Sequence, residues 1–111
     1  MAVSEEYLDY VLEQLECVGS VAPQRMFGGV GLYLDGLFFA LIADNILRFK
    51  VDESNKKKFE SRGMEAFHPY RHKSTTMQYY EVPIEVLEDQ EILRIWAEKA
   101  LAVASRKKKK L

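Results

Sequence analysis

The segment Leu37-Phe38-Phe39-Ala40-Leu41-Ile42-Ala43 is apolar at every position and is bracketed by Asp35-Gly36 and Asp44-Asn45. Both dipeptides are turn formers, because Gly, Asn and Asp tolerate positive φ. A run of this length between turns reads as a β-strand rather than a helix. A strand with one face in water alternates apolar and polar residues, and this one does not. Strict alternation sends Phe38, Ala40 and Ile42 to one face and Leu37, Phe39, Leu41 and Ala43 to the other. Both faces therefore need cover, which excludes a simple one-sided hairpin.

The rest of the chain supplies candidates for that cover. Ser4 accepts free N–H groups at the start of a helix reaching Val18, with Glu5 and Glu6 favourable in its first turn. Leu8, Val11, Leu12, Leu15 and Val18 form its apolar face, and Gly19 stops it. Gln24–Phe27 is a short strand. Val30, Leu32 and Leu34 alternate with Gly31 and Tyr33, and Ile46–Val51 is a further strand with Arg48 and Lys50 facing water. Residues 24–51 thus form an antiparallel meander. Asp52 caps a short helix from Glu53 to Arg62, stopped by Gly63. Glu65–His68 and Thr75–Val82 are strands separated by the polar loop Pro69–Ser74. After Pro83 and a helical turn at Ile84–Glu88, Asp89 caps a last helix to Ser105, with Ile92, Leu93, Trp96, Leu101 and Val103 inward. The fold class is α+β and two-layered, with about five mainly antiparallel strands in the order α-β(3)-α-β(2)-α.

The chain has 111 residues, of which 48% are apolar and 30% charged, enough for one core and not two. Residues 1–105 form one domain and residues 106–111 a basic disordered tail. No apolar run approaches the ~20 residues of a membrane span. With one cysteine, Cys17, and no leader-like N-terminus, the expected location is the cytoplasm. Net charge is −1 but uneven. Residues 1–55 carry nine acids and three bases, a balance of −6, and residues 56–111 thirteen bases and eight acids, a balance of +5. Five of those bases lie in Arg106–Lys110, so the body is acidic, which argues against specific DNA binding.

No catalytic constellation emerges. Gly28-Gly29-Val30-Gly31 is followed by a strand, whereas a phosphate-cradling loop needs a helix there. It reads as a bend between strands. His68 and His72 flank Pro69 and are too few for a metal site. Glu5/Glu6 and Glu88/Asp89 sit at helix starts. No nucleophile-elbow, zinc-protease or dithiol motif occurs. No cofactor and no metal are expected. Lys56-Lys57-Lys58, the Arg71-His72-Lys73 loop and the tail, with Tyr79 and Tyr80 nearby, support an alternative reading. In it the chain associates with nucleic acid through the tail and the loop at 69–74.

Two clusters resemble one known family. Arg25-Met26-Phe27-Gly28-Gly29 with Gly31-Leu32 matches its opening signature, followed at the expected spacings by Asp35-Gly36, Phe39-Ala40-Leu41 and Leu47, Lys50, Val51 and Asp52. Met77, Tyr79-Tyr80 and Val82-Pro83 match a Met-x-Tyr-Tyr-x-Val-Pro signature. Over Tyr7 to Ala104 the chain resembles the N-terminal domain of the TfoX/Sxy competence regulators, standing alone. The resemblance implies a two-layer fold similar to type III secretion chaperones. It also implies a regulatory role, since full-length members activate DNA-uptake genes together with the cyclic-AMP receptor protein and carry a second, helical domain. The family has no recognised catalytic or metal residues. The expectation is a non-enzymatic module that binds a protein partner. Three helices cover one sheet face, so a two-fold homodimer through Phe38, Phe39 and Leu41 is expected to cover the other.

Overall fold

The structure is a computed structural model that describes residues 3–26, 28–67 and 77–109. Phe27, His68, the loop Pro69–Ser74, Lys110 and Leu111 lie outside the described residues. Helix α1 (Glu5–Gln14) is followed by a 3₁₀ turn at Leu15–Cys17. Four strands come next: β1 (Ala22–Met26), β2 (Gly29–Leu34), β3 (Leu37–Ala43) and β4 (Ile46–Lys50). Helix α2 (Lys56–Glu60), strands β5 (Ala66–Phe67) and β6 (Met77–Glu81), and helices α3 (Ile84–Leu87) and α4 (Gln90–Lys109) complete the chain.

Six strands form one sheet in the order β1-β2-β3-β4-β6-β5, every described pairing antiparallel. The count exceeds the expected five because every strand read between residues 24 and 82 joins the sheet, the short first one included: Ala22–Met26 pairs along its length with Gly29–Tyr33. The α+β architecture is as expected. Both turns flanking β3 carry positive φ at two successive residues, Asp35 and Gly36, then Asp44 and Asn45. That twist suits two-residue hairpins.

One layer of helices packs on one face of this sheet. Leu8, Val11 and Leu15 of the first helix and turn, Phe59, Val86 and Leu87, and Leu93, Trp96, Ala97, Ala100 and Ala104 of α4 join Val30, Leu32, Phe39, Ala40, Ile42, Leu47, Phe49 and Tyr80 in the main core. The alanines of α4 let its axis lie close to β3 and β4. Phe59 anchors α2 by meeting the Trp96 ring edge-on at 4.7 Å. Gln14, a polar residue buried at the helix junction, donates from Nε2 to the Leu87 carbonyl at 2.9 Å and accepts from Gln90 Nε2 at 3.2 Å.

Three local expectations need correction. Alternation along β3 breaks at Phe39, because the register with β2 shifts between Leu32/Ala40 and Tyr33/Phe38. One residue of β3 is thus inserted as a bulge. Leu37, Phe39, Ala40 and Ile42 join the helix-side core, while Phe38, Leu41 and Ala43 belong to the opposite face. Second, Asp52 opens a turn instead of capping a helix from Glu53. Its carboxylate accepts from Ser54 and its carbonyl from Asn55 and Lys56, so α2 begins only at Lys56. Third, α4 runs to Lys109, so Arg106–Lys109 extend a helix where a disordered tail was expected. Lys and Arg are good helix formers and suit the negative end of the helix dipole.

Arg106 also ties the end of α4 to the turn before α2. Its guanidinium donates to Asp52 Oδ2 and to Ser54 Oγ, each at 2.8 Å. Burial alone would raise the Asp52 carboxyl, but hydrogen bonds from Ser54 and Arg106 outweigh it and hold the group at about 2, below its ordinary 3.8. A depressed folded-state value stabilises the fold above the unfolded value and loses that contribution as the pH falls through the folded one. Urea midpoints of the wild type should therefore fall more steeply between about pH 4 and pH 2 than those of Asp52→Asn. Parallel curves for the two proteins would contradict the assignment.

Candidate functional site

The sheet face away from the helices carries the densest chemistry outside the core. Its centre is built from β3, which turns Phe38, Leu41 and Ala43 outward through the bulge. Phe67 of β5 and Tyr79 of β6 pack beside them, so Leu41, Ala43, Phe67 and Tyr79 are all buried. Gly31 on β2 leaves room for this layer. A Cβ there would lie 2.7 Å from Met26 Cε and 3.1 Å from Phe38 Cε1, so Met26 and Phe38 close over the glycine.

The rings form a row across three strands. Tyr33 stacks on Phe38 at 5.0 Å between centroids, and Phe38 meets Tyr79 at 5.6 Å. Two cations of β4 lie on rings of this face. Lys50 Nζ is 5.2 Å from the Phe38 centroid and 5.6 Å from that of Tyr79, and the Arg48 guanidinium sits 4.3 Å above Phe67. Both are half-buried, whereas the sequence placed them in water. A cation over an aromatic face is held by the ring quadrupole.

The electrostatics suit binding better than proton transfer. Burial, then the neighbouring Tyr33, pushes the Tyr79 phenol well above its ordinary range, so it stays a neutral ring. Burial lowers Arg48, while Glu81 and Asp44 oppose that shift, and its Nη1 donates to the Ala43 carbonyl at 3.1 Å. Cys17 is exposed, and its thiol is raised, chiefly by partial burial, away from the reactive thiolate. Among the described residues no three His, Cys, Asp or Glu side chains gather as metal ligands. No helix among them is long and apolar enough to cross a membrane.

The signature residues are dispersed over both faces. Arg25 pairs with Glu5 of α1. Gly28 holds φ +79° in the turn between β1 and β2. A Cβ on Gly29 would lie 2.6 Å from the Ile42 carbonyl oxygen, so this glycine marks a close approach of backbones. Asp35 and Gly36 make the β2–β3 turn. Tyr79 faces outward, but Tyr80 points into the helix-side core beside Phe59, its hydroxyl donating to Glu60 at 3.0 Å. Both tyrosines are buried, which removes them as stacking platforms for nucleic-acid bases. Pro83 is buried, and its carbonyl accepts from Val86 and Leu87 to start α3. The backbone of Met77 begins β6.

Of the three residues placed at a dimer interface, Phe39 is wholly buried under the helices of its own chain and Leu41 is buried in a cluster with Ala43, Phe67 and Tyr79. Only Phe38 remains partly open. Sequence reasoning missed Tyr33, Arg48 and Lys50 as parts of one surface. Their parity on β2 and β4, the strands either side of β3, was the available signal, hidden by the bulge.

Comparison with curated proteins gives no match. Comparison with protein families matches the TfoX N-terminal domain over residues 13–104. That span takes in both signatures, the whole sheet and α4 as far as Ala104. The chain belongs to the TfoX N-terminal domain family.

Proposed function

We propose that this chain is a non-enzymatic regulatory module, acting in the cytoplasm by gripping a protein partner with the open face of its sheet. The observation that carries this reading is the row Tyr33–Phe38–Tyr79 with Lys50 laid on its Phe38 and Tyr79 rings and Arg48 laid on the neighbouring Phe67. Binding energy at protein interfaces concentrates in aromatic and arginine side chains seated on a desolvated base. Here the base is Leu41, Ala43, Phe67 and Tyr79. The family adds a role in regulating DNA-uptake genes. A Tyr33→Ala/Lys50→Glu double variant should keep its melting temperature within a few degrees yet capture at least tenfold less of any specific partner from the source cells. Undiminished capture would remove the open face from the account. A second copy is one candidate partner, and light scattering at micromolar concentration separates it by a mass of two chains instead of one.

One observation favours the nucleic-acid reading: α4 carries Arg106 to Lys109 on an ordered helix. Against it, Arg106 is engaged by Asp52, and the body it extends from is acidic. Titration against mixed-sequence duplex DNA near physiological salt should give no complex tighter than micromolar, with weak contact at low salt fading steeply as salt rises. Sub-micromolar, sequence-selective binding would reverse the order of the two readings.

A further inference from the structure

A second surface lies on the other flank of the molecule, where β6 ends and stops covering β4. Glu81 is the last residue of β6 opposite Arg48, and the next N–H, that of Val82, reaches the Leu47 carbonyl. The Leu47 N–H is left without a strand partner, and the Tyr7 hydroxyl of α1 accepts it at 3.1 Å. Between α1, the start of β4 and α3 this leaves a cleft of about 340 Å³, floored by Tyr7, Ile46, Leu47 and Leu87 and edged by Tyr10 and Ile84.

Two features set this cleft apart from ordinary surface. Among the described residues three large apolar side chains are exposed, and two of them, Ile84 at 67% and Tyr10 at 38%, edge this one cleft. Scattered exposed apolar residues need no explanation, but a shared concavity marks an interaction site. The rim is also acidic. Glu81 and Glu88 line it, and Glu13 acts on the Tyr10 hydroxyl together with Glu88. The residues that line the cleft include no Lys, Arg or His, and Arg48, opposite Glu81, is turned to the Ala43 and Ile46 carbonyls. The rim therefore keeps a negative excess.

We propose that this cleft receives a cationic peptide segment of a partner protein, one apolar side chain seated between Tyr10 and Ile84 and flanking Lys or Arg side chains meeting Glu81 and Glu88. The proposal rests on reading the chain as a protein-interaction module and names a contact separate from the open sheet face. Apolar contact supplies affinity, and the acidic rim selects the partner and speeds its approach.

Selection of a random-peptide display library on the immobilised full chain tests it. The expected result is enrichment of peptides with at least two Lys or Arg around one Leu, Ile, Met or aromatic residue. A synthetic peptide of the enriched sequence should bind about tenfold more weakly to Ile84→Ser and to Glu88→Lys, and more weakly as salt rises. Both positions are exposed, so the variants fold, and unchanged circular dichroism verifies it. Enriched peptides without excess basic residues, or indifferent to both substitutions, would overturn the proposal. Peptides indifferent to both but lost with Tyr33→Ala would overturn the cleft alone and leave the interaction-module reading standing. A library that yields no specific binder at all would count against both.

Discussion

Replacing Gly29 with alanine is expected to cost the fold about 3 kcal/mol, near the upper end of what overpacking a closed site costs. The added Cβ would lie 2.6 Å from the backbone oxygen of Ile42, and a central strand cannot retreat from β2 without disturbing its pairing with β4. The neighbouring glycines should answer differently. Gly28→Ala should cost about 1 kcal/mol, because φ +79° strains any L side chain. Gly31→Ala should cost less than Gly29→Ala, since its closest neighbour is the mobile end of Met26, which can swing aside. Urea unfolding of the three variants checks the order. A Gly29→Ala protein as stable as the wild type would contradict the close approach and, with it, the structural meaning of the family's opening signature.

Phe39→Ala is expected to cost about 3–5 kcal/mol, the usual loss for deleting a fully buried ring, and Phe38→Ala about half as much or less. Phe39 has no exposure and packs on Phe49 at 6.0 Å in the helix-side core. Phe38 is only partly buried, and its ring contacts are the half-buried Tyr33 and the buried Tyr79. Simple alternation along β3 predicts the opposite grouping, with Phe38 beside Ala40 and Ile42. The pair of measurements therefore tests the bulge directly. Equal losses, or a greater loss at Phe38, would contradict it.

The bulge also marks where sequence reasoning ends. The boundaries of β3 and both flanking turns were legible, because Asp-Gly and Asp-Asn punctuate an unbroken apolar run. So were the caps of the first and last helices, though not that of α2: Ser4 Oγ accepts from Tyr7, and Asp89 accepts from Glu91 and Ile92. The facing of β3 was not legible, since a run apolar at every position carries no phase from which an inserted residue could be detected. Phe39 was assigned to the outward face with Leu41 for that reason, and it lies in the helix-side core. Arg48 and Lys50 were read as solvated because charge alternating with apolar residues has that meaning on an isolated strand. Only the pairing of β4 with β3 and β6 brings rings beneath them. The cleft joins Tyr7 and Tyr10 to Ile84 and Glu88 across more than seventy residues, which no local pattern reports. The family signatures were legible as motifs, yet their division between turn, close approach and core needed the sheet.

That division underlies the central claim, that the signatures build the scaffold and the function is contact with another protein. The most direct measurement is a quantitative pull-down from the source cells with the full chain and with a chain ending at Ser105, each with and without nuclease. The account predicts the same specific protein retained in all four conditions, at yields within about twofold of one another. Loss of that protein on nuclease treatment or on removal of residues 106–111, or the absence of any specific protein, would contradict it.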